Sequence, residues 1–123
     1  MVKNVIITIA VMIAAGLIWT ANYSKNFSTG YSWVSIAPKQ CRSNPWEIDA
    51  PLSVGISEES AIKIFYQKQG IVVAEVVSKP TYQVVCLACN CPRGDTLYLS
   101  ILTRDIPKMT AQGFMVAEKP ERY

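Results

Sequence analysis

Four cysteines carry the most distinctive chemistry in this 123-residue sequence. Cys86, Cys89 and Cys91 fall within six residues of one another, and Cys41 lies far upstream. Thiolates are soft ligands, so four of them can hold zinc, copper or an iron-sulfur cluster. The same four side chains can instead form two disulfide bonds, and the redox compartment of the domain decides between these states.

The spacing of the cysteines favours disulfides if the domain lies in an oxidising compartment. A zinc ribbon takes two cysteines from each of two separate loops, whereas here a single loop would supply three. Only one residue separates Cys89 from Cys91, which is poorly compatible with a bond between them. Cys41 is therefore expected to pair with Cys89 or Cys91, and Cys86 with the other. The sequence predicts two disulfides and no cofactor; the alternative is a site for zinc or another soft metal on the same four cysteines.

The composition argues against catalysis and against nucleic-acid binding. The chain contains no histidine, which removes the commonest general base and the nucleophile arrangements that depend on it. Its net charge of +3 comes from twelve basic and nine acidic residues, without a basic stripe that would bind phosphates. We therefore expect a protein that is not an enzyme and that has no nucleic-acid partner.

Two further motifs have structural interpretations. Arg93-Gly94-Asp95 spells an integrin-binding tripeptide, but Gly-Asp before an alternating strand is typical of a tight turn. Glu58 and Glu59 follow a serine that caps a helix, where acidic side chains complement the helix dipole. We interpret the first motif as a turn and the second as a helix start, not as a catalytic pair.

An uncharged apolar run at residues 5–21 predicts one transmembrane helix. The pattern of a cleaved signal peptide is poor at its end, which favours an uncleaved anchor. Aromatic residues are enriched where a chain leaves the bilayer. The predicted membrane-interface residues are Trp19, Tyr23, Phe27, Tyr31 and Trp33. We expect a single-pass protein of the cell membrane with a cytoplasmic N-terminus and an extracytoplasmic domain, because signal anchors have short N-terminal tails and paired cysteines suit an oxidising compartment.

A near-repeat in the second half of the chain predicts two similar units. Residues 69–75 read QGIVVAE, and residues 112–118 read QGFMVAE. Each copy follows a helical stretch that a capping residue opens. Gly70 and Gly113 fit the left-handed position just past the end of a helix. Each unit is therefore predicted to be a strand, a capped helix, a glycine stop and a second strand.

These units predict an α+β fold of the split βαβ, or ferredoxin-like, kind. The strands that precede the two helices are expected at residues 52–56 and 96–102. The predicted organisation is an N-terminal transmembrane anchor at residues 1–23, an aromatic and polar connector at 24–50, and one small domain at 51–123 with a cysteine-rich insertion at 79–95.

Residues 86–114, CLACNCPRGDTLYLSILTRDIPKMTAQGF, resemble small archaeal membrane-anchored proteins that are labelled cysteine-cluster domains. The shared core is C-x2-C-x-C-P-x-G-D-T-L-Y-L, and the similarity covers about a quarter of the chain. This sequence has four cysteines, whereas the label implies eight. The resemblance implies a surface-facing domain and an archaeal source, and it implies no reaction.

The function predicted from these features is that of a non-catalytic accessory or structural subunit of a larger membrane complex, such as a respiratory oxidase or an archaeal ammonia monooxygenase. An apolar anchor without charges and a domain without a catalytic constellation motivate it. The expected partners are other membrane-protein subunits and the lipid bilayer. The main alternative is a membrane-anchored module that binds zinc, copper or an iron-sulfur cluster through its thiolates. A thiol oxidoreductase that uses Cys86 and Cys89 is a third possibility.

Overall fold

Four antiparallel strands form the framework of the computed structural model, which describes residues 30–48, 55–81 and 86–121. Their order across the sheet is β2-β3-β1-β4, and every neighbouring pair is antiparallel. The described part of the chain is a small α+β domain. The strands are β1 (Tyr31–Ile36), β2 (Val73–Pro80), β3 (Asp95–Leu102) and β4 (Met115–Ala117).

Short helices connect the strands. Ser57 caps the longest of them, because its side chain accepts a hydrogen bond from the N–H of Ser60. No helix in the described ranges is long and apolar enough to cross a membrane, and the span predicted at residues 5–21 lies outside those ranges. The helices are α1 (Pro45–Ile48) and α2 (Glu58–Lys68) between β1 and β2, and a 3-10 turn (Thr103–Asp105) followed by α3 (Ile106–Thr110) between β3 and β4.

The first strand of the sheet is not the predicted one. Of the strand expected at residues 52–56, the described part is Gly55 and Ile56, and neither lies in a strand. The sheet instead begins with β1, inside the segment that was predicted to be a connector. Residues 31–36 form a strand because their backbone pairs with β3 on one side and with β4 on the other. Such long-range pairing leaves no trace in the local sequence.

The register of the strands places the core on one face of the sheet. Val34 lies opposite Leu99, and Ile36 lies opposite Leu97. Residues that are directly opposite in an antiparallel pair point to the same face, so these side chains meet the helices together. A fully buried side chain of this size contributes about 1.5–3 kcal/mol to the free energy of unfolding. The buried core consists of Val34, Trp46, Ile62, Tyr66, Ile71, Val73, Leu97, Leu99, Ile101, Met109 and Phe114.

The other face of the sheet, which we call the open face, presents Tyr31, Trp33, Tyr98 and Met115. Ser35 of β1 lies opposite both Tyr98 and Met115, which fixes these two side chains on the same face as Tyr31 and Trp33. None of the four belongs to the core that the described helices cover. Tyr31 is 57% exposed and Met115 is 70% exposed.

The two copies of the near-repeat end their helices in the same way. Gly70 has a φ of +74° and Gly113 a φ of +93°, which confirms the predicted left-handed positions. Past Gly70, the N–H of Ile71 donates to the carbonyl of Tyr66 over 3.0 Å, and the equivalent bond past Gly113 measures 3.2 Å. This bond across six residues, together with the left-handed glycine, is the Schellman motif.

Candidate functional site

The structure brings all four cysteines together as two pairs. Cys41 pairs with Cys89, with their Cα atoms 5.0 Å apart, and Cys86 pairs with Cys91 at 6.1 Å. Both Cα separations lie in the range of disulfides. This pairing is one of the two that the spacing of the cysteines left open. Sulfur atoms joined in this way are not thiolate ligands, so the paired state and a metal site are alternatives for the same atoms.

Hydrogen bonds hold together the two loops that carry the cysteines, which we call the cystine loops (residues 37–44 and 86–94). The N–H of Gln40 donates to the carbonyl of Cys91 over 3.0 Å. The Nε2 of Gln40 donates to the carbonyl of Cys86 over 2.7 Å. The first loop follows β1 and the second precedes β3, so the loops continue the pairing of these two strands beyond the sheet.

The backbone of the first cystine loop is strained at two adjacent residues. Cys41 and Arg42 have φ values of +59° and +55°. For residues other than glycine this conformation costs about 1–2 kcal/mol each, and it persists where neighbouring contacts hold it. Those contacts are the bond from Cys41 to Cys89 and the hydroxyl of Ser43, which donates to the carbonyls of Gln40 at 2.8 Å and Cys89 at 3.1 Å.

Asn44 fastens the start of α1 to the first cystine loop. Its Oδ1 accepts from the N–H of Lys39 over 2.8 Å, and its Nδ2 donates to the carbonyl of Lys39 over 2.9 Å. Glu47 reaches back to accept from the N–H of Asn44 over 3.1 Å, which is one half of a capping box. The side chain of Asn44 thus binds the loop, and the carboxylate of Glu47 satisfies the backbone N–H at the start of the helix. Trp46, in the same turn, is buried in the core.

Arg93 is the centre of a charged cluster beside the cystine loops. Its Nη1 and Nη2 donate to the two carboxylate oxygens of Glu58 over 2.9 Å each. Its Nε and Nη2 donate to the carboxylate of Asp95 over 2.9 and 2.8 Å. The Glu58 carboxylate also accepts from the indole N–H of Trp46 over 3.2 Å. Gly94 has a φ of +110°, so Arg93 and Asp95 flank a glycine turn, as predicted, and in addition clamp it to α2.

These contacts shift the protonation equilibria of the cluster. The hydrogen bond from Arg93, ahead of the one from Ser78, lowers the pKa of Asp95 below its ordinary value. The hydrogen bonds to Asp95 and then to Glu58 raise the pKa of Arg93 above its ordinary value. Arg93 and Asp95 are thus both charged near neutral pH. We assign the cluster a structural role.

A cleft of about 540 Å³, which we call the Trp46 cleft, lies between the first cystine loop and the turn that joins α3 to β4. The side chains of Ile36, Trp46, Tyr66 and Phe114 provide apolar lining. Its volume falls within the range of small-molecule sites. The polar lining includes Ser35, Lys39 and Gln112.

Of the membrane-interface residues predicted from the sequence, the two that the structure describes lie neither in the cystine loops nor in the lining of the Trp46 cleft. Tyr31 and Trp33 lie on the open face, and Tyr31 starts β1 at the end away from the cystine loops. Trp19, Tyr23 and Phe27 lie outside the described residues.

The sequence did not indicate three features of the site: the ion pair of Glu58 with Arg93, the position of Lys39, and Tyr66 as part of a cleft. Glu58 and Arg93 are 35 residues apart, and no local pattern joins them. Tyr66 falls at a core position of α2, which explains its burial but does not indicate that it also faces a cleft. The glycine turn after Arg93 and the helix start at Glu58 were predicted, but neither local signal indicated that the two side chains meet.

Comparison of the chain with protein-family models, with curated proteins and with solved structures finds no match. The function must therefore be inferred from the chain's own residues. The features that bear on it are the open face, the cystine loops and the Trp46 cleft.

Proposed function

We propose that this protein is a non-catalytic accessory subunit of a membrane-protein complex, and that its disulfide-tied domain lies outside the cell and docks through the open face. The observation that carries this proposal is the open face itself. Tyr31, Trp33, Tyr98 and Met115 share a face against which no described helix packs. Aromatic and methionine side chains are enriched at the centres of protein interfaces, and grouped apolar side chains on a surface mark interaction sites.

The position of β1 supports a membrane subunit as the occupant of the open face. The predicted span ends at residue 21 and β1 begins at Tyr31. Nine intervening residues reach at most about 30 Å when fully extended, so the Tyr31 end of the face lies close to the bilayer. Because this end of the face lies so close to the bilayer, the partner that we expect on it is a neighbouring integral membrane protein. The two cystines support an oxidising, extracytoplasmic location.

We also propose that the domain has the ferredoxin-like topology. The order β2-β3-β1-β4 with antiparallel neighbours supports it, as do the helices between β1 and β2 and between β3 and β4. This topology accommodates many unrelated functions and so adds no activity to the proposal.

The proposal is tested by isolating the tagged full chain from its native membranes in mild detergent. We expect a stoichiometric integral membrane protein to be retained. The double variant Tyr31→Ser with Met115→Ser should lose this protein, because both side chains are exposed on the open face. A matched double variant, Ile64→Ser with Leu87→Ser, also removes two exposed apolar side chains, which are 41% and 92% exposed, and should retain it.

Two outcomes contradict the proposal in different ways. If the wild-type chain is a monodisperse monomer with no membrane protein bound, it is not an accessory subunit. If the complex forms but the open-face variant retains the partner as well as the matched variant does, docking occurs elsewhere on the chain.

A further inference from the structure

We propose that the Trp46 cleft binds a small carboxylic acid, a molecule with a single anionic group on an apolar aromatic or aliphatic body. This inference does not depend on the accessory-subunit proposal. Met115 borders both the cleft and the open face, but the two side chains that the inference uses, Lys39 and Tyr66, line only the cleft. It is based on the lining of the cleft, its charge and a tyrosine hydroxyl that no described residue bonds.

The apolar lining of the cleft fits the body of such a ligand. Trp46, Tyr66 and Phe114 form the apolar floor of the cleft, and because they are only 1–4% exposed, little of each ring is accessible there. The rings of Tyr66 and Phe114 are held edge to face with their centroids 5.8 Å apart, so the wall is already in place before a ligand arrives. A preformed apolar wall lowers the entropic cost of binding.

The charge of the cleft fits an anion. Lys39 is the one charged side chain among the described residues that line it. Its backbone is fixed by two hydrogen bonds to Asn44, while its side-chain amine forms no ion pair with any described residue. A single lysine amine balances a single negative charge. The described lining offers no arginine fork of the kind that holds the higher charge of a phosphate. The start of α1 borders the cleft, but this helix has only four residues, and the N–H of Asn44 already donates to Glu47.

The hydroxyl of Tyr66 provides a hydrogen-bond donor. Tyr66 is 1% exposed, and its hydroxyl has no hydrogen-bond partner among the described residues. The hydroxyl is not among the fully buried unpartnered atoms, so it reaches the space of the cleft, where an acceptor on a ligand can take its hydrogen bond in place of water. Burial raises the pKa of the phenol, which therefore stays protonated and acts as a donor to a carboxylate.

The inference is tested with 3-phenylpropionate as the probe and the isotope-labelled full chain in lipid nanodiscs. Its uncharged and cationic counterparts, 3-phenylpropanol and 3-phenylpropylamine, are the matched comparisons. Binding is followed by the NMR shift of the amide of Gly113, which lines the cleft. The amide of Gly70, at the equivalent position of the near-repeat and outside the lining, is the internal control. We expect saturable shifts at Gly113 only, with the acid at least about tenfold tighter than the alcohol and the amine weakest.

Two conservative variants test the assigned roles. Lys39→Gln should weaken binding of the acid by about tenfold and leave the alcohol unchanged, which removes the preference for the anion. Tyr66→Phe deletes only the hydroxyl and should weaken binding of the acid by about fivefold. Lys68→Gln removes one positive charge from a residue outside the cleft lining and should leave the affinity unchanged.

Four results would overturn the inference. The first is equal affinity for the acid and the alcohol. The second is an equal loss of affinity in Lys39→Gln and Lys68→Gln, which would indicate a general effect of net charge. The third is a shift at Gly70 as large as that at Gly113. The fourth is the absence of any saturable shift at millimolar acid.

Discussion

The Nε2 of Gln112 donates a hydrogen bond to the Oε1 of Gln69 over 3.0 Å, so the two residues that hold the same position in the near-repeat meet in the folded protein. Beside them the rings of Tyr66 and Phe114 pack edge to face. The ends of α2 and α3 therefore lie side by side, and each closes with a left-handed glycine. This contact between the two helix ends makes the glycines a matched pair for experiment.

Replacing Gly70 by alanine should destabilise the protein by about 1–2 kcal/mol, because alanine strongly disfavours a positive φ. No atom lies within 4 Å of the Cβ that alanine would add, so the cost comes from the backbone and not from a steric clash. Gly113→Ala should cost a similar amount for the same reason. Thermal unfolding of the full chain in detergent measures both, and Gly70→Asn is the milder control. An unchanged midpoint for both alanine variants would contradict the left-handed assignment.

Replacing Arg93 by lysine should destabilise the protein by about 1–2 kcal/mol although the charge is kept. The reason is that a lysine ammonium cannot form the bidentate hydrogen bonds that Arg93 makes with the carboxylates of Glu58 and Asp95. Lys63→Ala is the comparison, since it removes an exposed ion pair with Glu59 that contributes at most about 0.5 kcal/mol. Urea unfolding of both variants gives the two free energies. If the Arg93 variant loses no more stability than the Lys63 variant, the hydrogen bonds of Arg93 with Glu58 and Asp95 do not stabilise the fold beyond an exposed ion pair.

The stability of the protein should fall at acidic pH partly through Asp95. Its pKa in the folded state is lowered, chiefly by the hydrogen bond from Arg93, from an ordinary value of 3.8. A carboxylate with a lowered pKa stabilises the fold fully above the unfolded-state pKa, and this contribution is lost as the pH falls through the folded-state pKa. Stability curves should therefore decline below about pH 4, and less steeply in Arg93→Ala, which lacks the donor. If the stability of the wild type and of Arg93→Ala fell equally steeply with decreasing pH, the lowered pKa of Asp95 could not be attributed to Arg93.

The two cystines should contribute unequally to stability. The bond from Cys41 to Cys89 closes a loop of 48 residues and the one from Cys86 to Cys91 a loop of 5. In the chain-entropy model, losing the first costs about 4 kcal/mol and losing the second about 2 kcal/mol. Paired cysteine-to-serine variants and urea unfolding measure both costs.

Intact mass establishes the oxidation state for that comparison. The unreduced wild type should be four hydrogens lighter than the reduced chain, since two bonds form. Equal masses accompanied by stoichiometric zinc or iron would replace the disulfide interpretation with the thiolate site. The expected ranking of the two bonds would be contradicted if loss of the bond from Cys86 to Cys91 lowered the free energy of unfolding as much as, or more than, loss of the bond from Cys41 to Cys89.

Local features of the fold were accessible from the sequence because neighbouring residues encode them. The strand predicted at residues 96–102 is β3, and the apolar residues that alternate along it, Leu97, Leu99 and Ile101, are all buried. The start of α2 was also predicted, because Ser57 is a capping residue that lies directly before it. The strand at Tyr31–Ile36 was missed because its aromatic side chains also match the pattern of a membrane interface.

What the sequence by itself determined is the conformation of short stretches: the left-handed glycines at 70 and 113, the period of β3 and the narrow choice of partners for Cys41. Only the tertiary structure decided that β1 lies in the middle of the sheet, that Cys41 pairs with Cys89, and that Arg93 holds Glu58. The physical reason is the range of the interactions. Backbone preferences and capping act over a few residues, whereas strand pairing, cross-linking and ion pairing depend on which distant segments the packed core brings together.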